Sequence, residues 1–172
     1  MEHVTRRETT PVRIGALAIG GTHPIAVQSM TNTRTEDVAA TMAQVRRLAA
    51  AGCEIVRVAV PHPKAVRALP ALVGECPMPL VADIHFREDF ALGAIEAGAA
   101  KVRINPGNMA PDAFLRVLDA AGERGVAVRI GVNSGSVPMD LIETFGGPTP
   151  DALVEAAARY VAVAERRGFA AI

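Results

Sequence analysis

Apolar residues along this chain alternate between short continuous runs and longer stretches with a helical period. Residues 55–60, 80–85, 101–105 and 126–133 have the length and β-branched content of buried strands. Between the strand-like runs, Val38, Met42, Val45, Leu48 and Ala49 keep a helical spacing that Gly52 closes, with Thr35 expected as N-cap and Glu36 and Asp37 in the first turn. Further helices are expected over 63–73, 87–97 and 111–124, the last closed by Gly125. A longer one runs from Thr149 as N-cap, with Pro150 at the first helical position, to about Arg167. Residues 134–148 read as a polar loop with a helical turn near Leu141, and 169–172 as the start of another strand. Ahead of these units, 12–19 and 24–30 are two β-type runs separated by Gly20-Gly21-Thr22-His23, which signals a hairpin there. Residues 1–10 are polar and expected to be mobile.

Strand–helix alternation with short connections predicts an α/β fold with a parallel sheet covered by helices. No GxGxxG follows the first strand, which argues against a dinucleotide-binding fold. Polar residues inside the strands recur at Arg57, Asp83, Arg103 and Arg129, a spacing that suits the units of a (β/α) TIM-type barrel. A full barrel takes eight units and roughly 250 residues. This chain supplies about five and a half, so residues 11–172 are expected to form a truncated barrel domain preceded by a β-hairpin.

Composition narrows the picture. The 172 residues are 50% hydrophobic but only 3% aromatic, without Trp, so the core must be built from Val, Ile, Leu and Ala. A formal net charge of +0 argues against a nucleic-acid partner. No apolar run approaches the ~20 residues of a membrane span, and the polar N-terminus lacks a signal-peptide core, which makes a cytoplasmic protein the expectation. Cys53 and Cys76 belong to no CxxC pattern and read as two reduced, small buried residues.

The strand arginines carry the chemistry. A guanidinium in an otherwise apolar strand is expensive unless something anionic meets it. Side chains alternate faces along a strand, so Arg57 shares a face with Ala59, Asp83 with His85, Arg103 with Asn105, and Arg129 with Gly131 and Asn133. In a barrel that face points inward, toward the mouth built by the βα loops, where active sites lie. Gln28 and Met30 join the ring from the first barrel strand. Arginine binds phosphate oxygens in pairs and keeps its charge when buried, so three forks around one mouth suit a diphosphate. The loops at Asn105-Pro106-Gly107-Asn108 and Asn133-Ser134-Gly135-Ser136 could add backbone N–H groups or hydroxyls. Asp83 and His85 are candidates to bind hydroxyls or move a proton. The plainer alternatives are an Asp83–arginine ion pair in the barrel core, a structural His85, and Asn105 and Asn133 as turn formers. No HExxH, DxDxDG or clustered Cys/His motif points to a metal.

Five segments, 28–33, 55–58, 79–86, 103–108 and 129–136, resemble the bacterial (E)-4-hydroxy-3-methylbut-2-enyl diphosphate synthases, and the resemblance extends over about residues 10–172. It implies an oxidoreductase of the methylerythritol phosphate route to isoprenoids, which opens 2-C-methyl-D-erythritol 2,4-cyclodiphosphate with two electrons from flavodoxin or ferredoxin and releases water. It implies a homodimer and a separate C-terminal domain holding a [4Fe-4S] cluster through three cysteines and a glutamate. It further implies that Arg57, Arg103 and Arg129 grip the diphosphate, while Asp83, His85, Asn105 and Asn133 line the same mouth. Neither the later barrel strands nor the cluster domain is found in this sequence, so the chain alone is expected to be inactive. Two other functions remain compatible with the residues: a pteroate-synthase-like barrel acting on a pterin diphosphate, and a non-catalytic diphosphate-binding module.

Overall fold

The computed structural model describes residues 7–172; the first six residues of the segment expected to be mobile lie outside the described part. The chain enters through a two-stranded antiparallel hairpin, β1 (Val12–Ile14) and β2 (Leu17–Ile19). Its turn is Gly15-Ala16, with Gly15 at φ +59°, and not the Gly20–His23 segment that the sequence suggested. Gly15 supplies the positive φ that a two-residue hairpin turn demands. The run before Met30 therefore does not pair back on β2. Only Gln28–Met30 is a strand, and it opens the main sheet as β3.

Five parallel strands follow one another in sequence order: β3, β4 (Ile55–Ala59), β5 (Leu80–Asp83), β6 (Lys101–Ile104) and β7 (Ala127–Ile130). The helices between and after them are α1 (Val38–Ala50), α2 (Pro63–Glu75), α3 (Glu88–Glu96), α4 (Pro111–Arg124), α5 (Met139–Phe145) and α6 (Pro150–Arg166). α1 begins later than its sequence signals suggest. Asp37 is the N-cap, accepting from the Ala40 amide at 3.0 Å, because the Thr35 hydroxyl is spent on the Ala59 carbonyl at 2.7 Å. α6 starts as expected, with Thr149 capping the Ala152 amide. The loop after β7 holds a 3-10 turn, Ser134–Ser136, and the short α5 around Leu141. Residues 169–172 form no strand, although the Ala171 carbonyl already accepts the Val128 amide of β7 at 2.8 Å.

Alternation along the strands builds two cores. Val56, Val58, Ala82, Ile84, Val102, Ile104 and Val128 face the helices and pack on Leu69, Leu72, Ile95, Val117 and Leu118. On the opposite, inward face, Ile55, Val81 and Ala127 meet Val12 and Ile14 of the hairpin. The hairpin thus closes the N-terminal end of the strands with an apolar floor. The inward row nearest the other end is the polar one, with Asp83, Arg103 and Arg129, while Gln28 and Lys101 lie lower, beside the floor. No helix among the described residues is long and apolar enough to cross a membrane.

Candidate functional site

Register decides which side chains meet. Parallel pairing sets Met30 beside Arg57, Arg57 beside Val81, and Val81 beside Lys101 and then Ala127. The next inward row toward the strand ends runs Ala59, Asp83, Arg103, Arg129. Gln28 pairs with Ile55, one row below Arg57, so it lies nearer the floor than the sequence-based ring implied.

Asp83 is the hub of the upper row. It is buried, and its Oδ2 accepts from Arg57 Nη2 at 2.6 Å and lies 3.3 Å from His85 Nε2, while its Oδ1 meets Arg103 Nη1 at 3.4 Å. Arg57 reaches up diagonally from the row below to make this contact. The ion-pair alternative weighed for Asp83 is therefore what the structure contains, and it joins two of the three strand arginines to His85. One carboxylate cannot neutralise two guanidinium groups, so the cluster keeps a positive balance. Arg57 Nε is buried without a partner among the described residues, a donor left over after the Asp83 contact.

Arg129 stands apart. It is next to Arg103 in the ladder, is exposed, and forms no ion pair among the described residues. Gly131, two residues on, makes the neighbouring packing possible: a Cβ there would land on the Arg103 guanidinium. Its φ is not in the left-handed region, so space rather than backbone freedom calls for glycine.

The two asparagines serve the loops. Asn105 is fully buried and its Nδ2 donates to Ser136 Oγ at 2.9 Å, leaving Asn105 Oδ1 without a partner among the described residues. Asn133 Oδ1 accepts from the Gly135 amide, and the Ser136 hydroxyl donates to the Asn133 carbonyl. Gly107 fits against the Ser136 carbonyl so closely that no Cβ could be accommodated. The loops after β6 and β7 are thus locked together, with Ser134 exposed at their surface.

A cleft of about 470 Å3 opens beside Asp83 and His85, walled by Met30, Pro61, Phe86 and Phe90. Phe86 is 69% exposed and Arg87 stacks 4.8 Å over the Phe90 ring. Of this apolar wall sequence reasoning named only Met30, and it missed Lys101, which shares the parity of Arg103 and so could have been found by the same rule. Cys53 and Cys76 lie just ahead of β4 and β5, at the floor end of the strands; burial pushes the Cys76 thiol up. No three His, Cys, Asp or Glu side chains among the described residues come together as a metal site, so these residues do not fit a [4Fe-4S] cluster.

Comparison with known proteins follows the same lines. Residues 9–172 match the family described as GcpE TIM-barrel domain. The chain is 50% identical over 167 residues to the 4-hydroxy-3-methylbut-2-en-1-yl diphosphate synthase (flavodoxin) of Aquifex aeolicus, covering 96% of this chain and 47% of the relative. It is 52% identical over 167 residues to the protein of the same name from Maridesulfovibrio salexigens, with the same coverage of 96% and 47%. The chain therefore spans about half the length of the curated relatives it matches. Among solved structures, dihydropteroate synthase from Xanthomonas albilineans with 7,8-dihydropteroate superposes with a TM-score of 0.65 at 20% identity, over 95% of this chain and 62% of that one. The Yersinia pestis dihydropteroate synthase gives 0.60 at 18%, over 94% and 59%. At that identity the likeness carries the barrel fold alone.

Proposed function

The chain belongs to the GcpE TIM-barrel family, and from that premise we propose that it is the substrate-binding barrel of a 4-hydroxy-3-methylbut-2-enyl diphosphate synthase. Its substrate in this role is 2-C-methyl-D-erythritol 2,4-cyclodiphosphate. The observation that carries the proposal is the Asp83-centred cluster of Arg57, Arg103 and His85 at the strand ends, with Arg129, unpaired among the described residues, beside it.

Asp83 holds Arg57 and Arg103 in place before any ligand arrives, which lowers the ordering cost of binding. Arg129, free of any carboxylate among the described residues, offers its whole fork to phosphate oxygens. The Arg57 Nε donor and the exposed Ser134 add further hydrogen-bonding groups. His85, with its Nε2 3.3 Å from Asp83 Oδ2 and bordering the cleft, is placed to hold a substrate hydroxyl or move a proton there. The apolar cleft wall of Met30, Phe86 and Phe90 suits the methyl-bearing carbon skeleton and keeps water away from it.

The overall reaction takes up two electrons and two protons, opens the cyclic diphosphate and releases one water. An iron–sulfur cluster, which these residues do not hold, would supply the electrons from flavodoxin or ferredoxin. In that role the protein works in the cytoplasm as a homodimer, and this chain alone binds without turnover.

Amide NMR of the chain titrated with the cyclodiphosphate and, separately, with a pterin diphosphate tests the proposal. Shifts at Arg57, Arg103 and Arg129 with the cyclodiphosphate and not with the pterin are expected. A dispersed spectrum that responds only to the pterin would transfer the site to pteroate chemistry. One that ignores both would remove the anion site altogether.

A further inference from the structure

Lys101 is an inward-facing charge that takes no part in the Asp83 cluster. It sits on β6 two residues before Arg103, about 6.7 Å lower along the strand, flanked in the ladder by Val81 and Ala127. Its residue surface is only 8% exposed. Its stem lies over the apolar floor that the hairpin closes, formed by Val12, Ile14, Val81 and Ala127. Among the described residues, the charged side chains on its face of the sheet are Arg57 on β4, Asp83 on β5, Arg103 on β6 itself and Arg129 on β7, while the hairpin and α6 bring only apolar side chains to the same space, Val12, Ile14, Ala157 and Val161 among them. Asp83, the only carboxylate among these, is already spent on two guanidinium groups and His85. Among the described residues Lys101 has no carboxylate and no hydrogen-bond partner, and the charges it feels are the cations Arg129 and Arg57.

A lysine whose side chain is almost wholly buried, beneath a group of arginines and with no carboxylate of its own, is an arrangement that folding alone does not favour. We propose that Lys101 is a fourth cation of the anion site, set under the arginines to meet the phosphate groups of a cyclic polyphosphate from the floor side. This rests on the anion site proposed above.

The choice of lysine over arginine has a consequence. Arginine cannot shed its proton, whereas lysine can. Burial and the neighbouring guanidinium groups lower the Lys101 ammonium to about 8. The empty site can therefore relieve its own charge crowding, and an arriving anion recharges it. Binding then draws in a proton, and affinity falls as the pH rises through the value that Lys101 reaches in the complex.

Trimetaphosphate is a suitable probe, because its own charge stays constant from about pH 7 to 9. Calorimetry in buffers of different ionisation enthalpy near pH 8 should show proton uptake on binding by the unaltered protein. Lys101→Met should bind about tenfold more weakly at pH 7, take up no proton, and unfold at the same temperature or higher. Arg129→Ala is the control for the site itself. If Arg129→Ala weakens binding while Lys101→Met matches the unaltered protein in affinity and proton uptake, Lys101 is a structural residue and this proposal falls alone. Should neither substitution change binding, or the unaltered protein fail to bind, the arginine site falls with it. Because proton uptake is read without any substitution, a Lys101→Met variant that does not fold still leaves a decision: no uptake by the unaltered protein overturns the proposal.

Discussion

Arg103 and Arg129 face each other across the β6–β7 ladder, yet they live in different electrostatic worlds. Arg103 is half-buried, its fork held by Asp83 and its position bounded by Gly131. Arg129 is exposed and free of any carboxylate among the described residues. The β4–β6 side of the mouth is built before a ligand arrives, and the β7 side is left with charge to spend. Preorganisation and attraction are opposed demands on one side chain, since a guanidinium tied to a carboxylate is well placed but partly neutralised. Dividing the two demands between neighbouring arginines meets both.

The most direct way to break that division is Asp83→Asn, which keeps the shape but removes the charge between Arg57, Arg103 and His85. Stability should fall by about 3 kcal/mol, at the low end for a broken buried pair because both guanidinium groups keep some contact with water. Urea unfolding with an unchanged m-value would measure it. A loss below about 0.5 kcal/mol would mean that Asp83 organises nothing. Arg129→Ala should do the reverse. Its stability should stay within about 0.5 kcal/mol, while diphosphate binding weakens by ~1.5–3 kcal/mol through a lost charge-assisted contact. An unchanged dissociation constant in a folded Arg129→Ala protein would remove that residue from the site.

Much of this arrangement was legible from period and parity. The five strands and their order followed from the apolar runs, and the inward face of Arg57, Asp83, Arg103 and Arg129 from alternation alone. Local competition defeated the finer expectations. Gly20-Gly21 looked like the stronger hairpin turn, but Gly15 supplied the positive φ at a spacing that lets Val12 and Ile14 seal the floor. Thr35 had the chemistry of an N-cap, yet a long-range bond to the Ala59 carbonyl took its hydroxyl and left the role to Asp37. Which arginine would hold Asp83 was invisible, because it depends on the register of β4 against β5. The Lys101 ammonium was visible by parity and passed over, since a lysine beginning a strand resembles an edge residue until the hairpin is known to cover it.

The two halves of the mouth touch at Gly131, and the smallest of these effects tests whether they are mechanically linked. Gly131→Ala adds one methyl just past the end of β7, at a backbone conformation outside the left-handed region. That methyl would occupy the place of the Arg103 guanidinium on β6. Arg103 must then move off Asp83 or the strands must part, at a cost of about 1–2 kcal/mol. If the guanidinium yields, Asp83 keeps Arg57 and His85, stability falls by that modest amount, and diphosphate binding weakens although no phosphate-binding side chain has been removed. The side-chain Nε–H resonance of Arg103 would shift while that of Arg129 stays in place. If instead both resonances move together, the halves form one rigid unit, and the separation between a preorganised arginine and a free one does not survive.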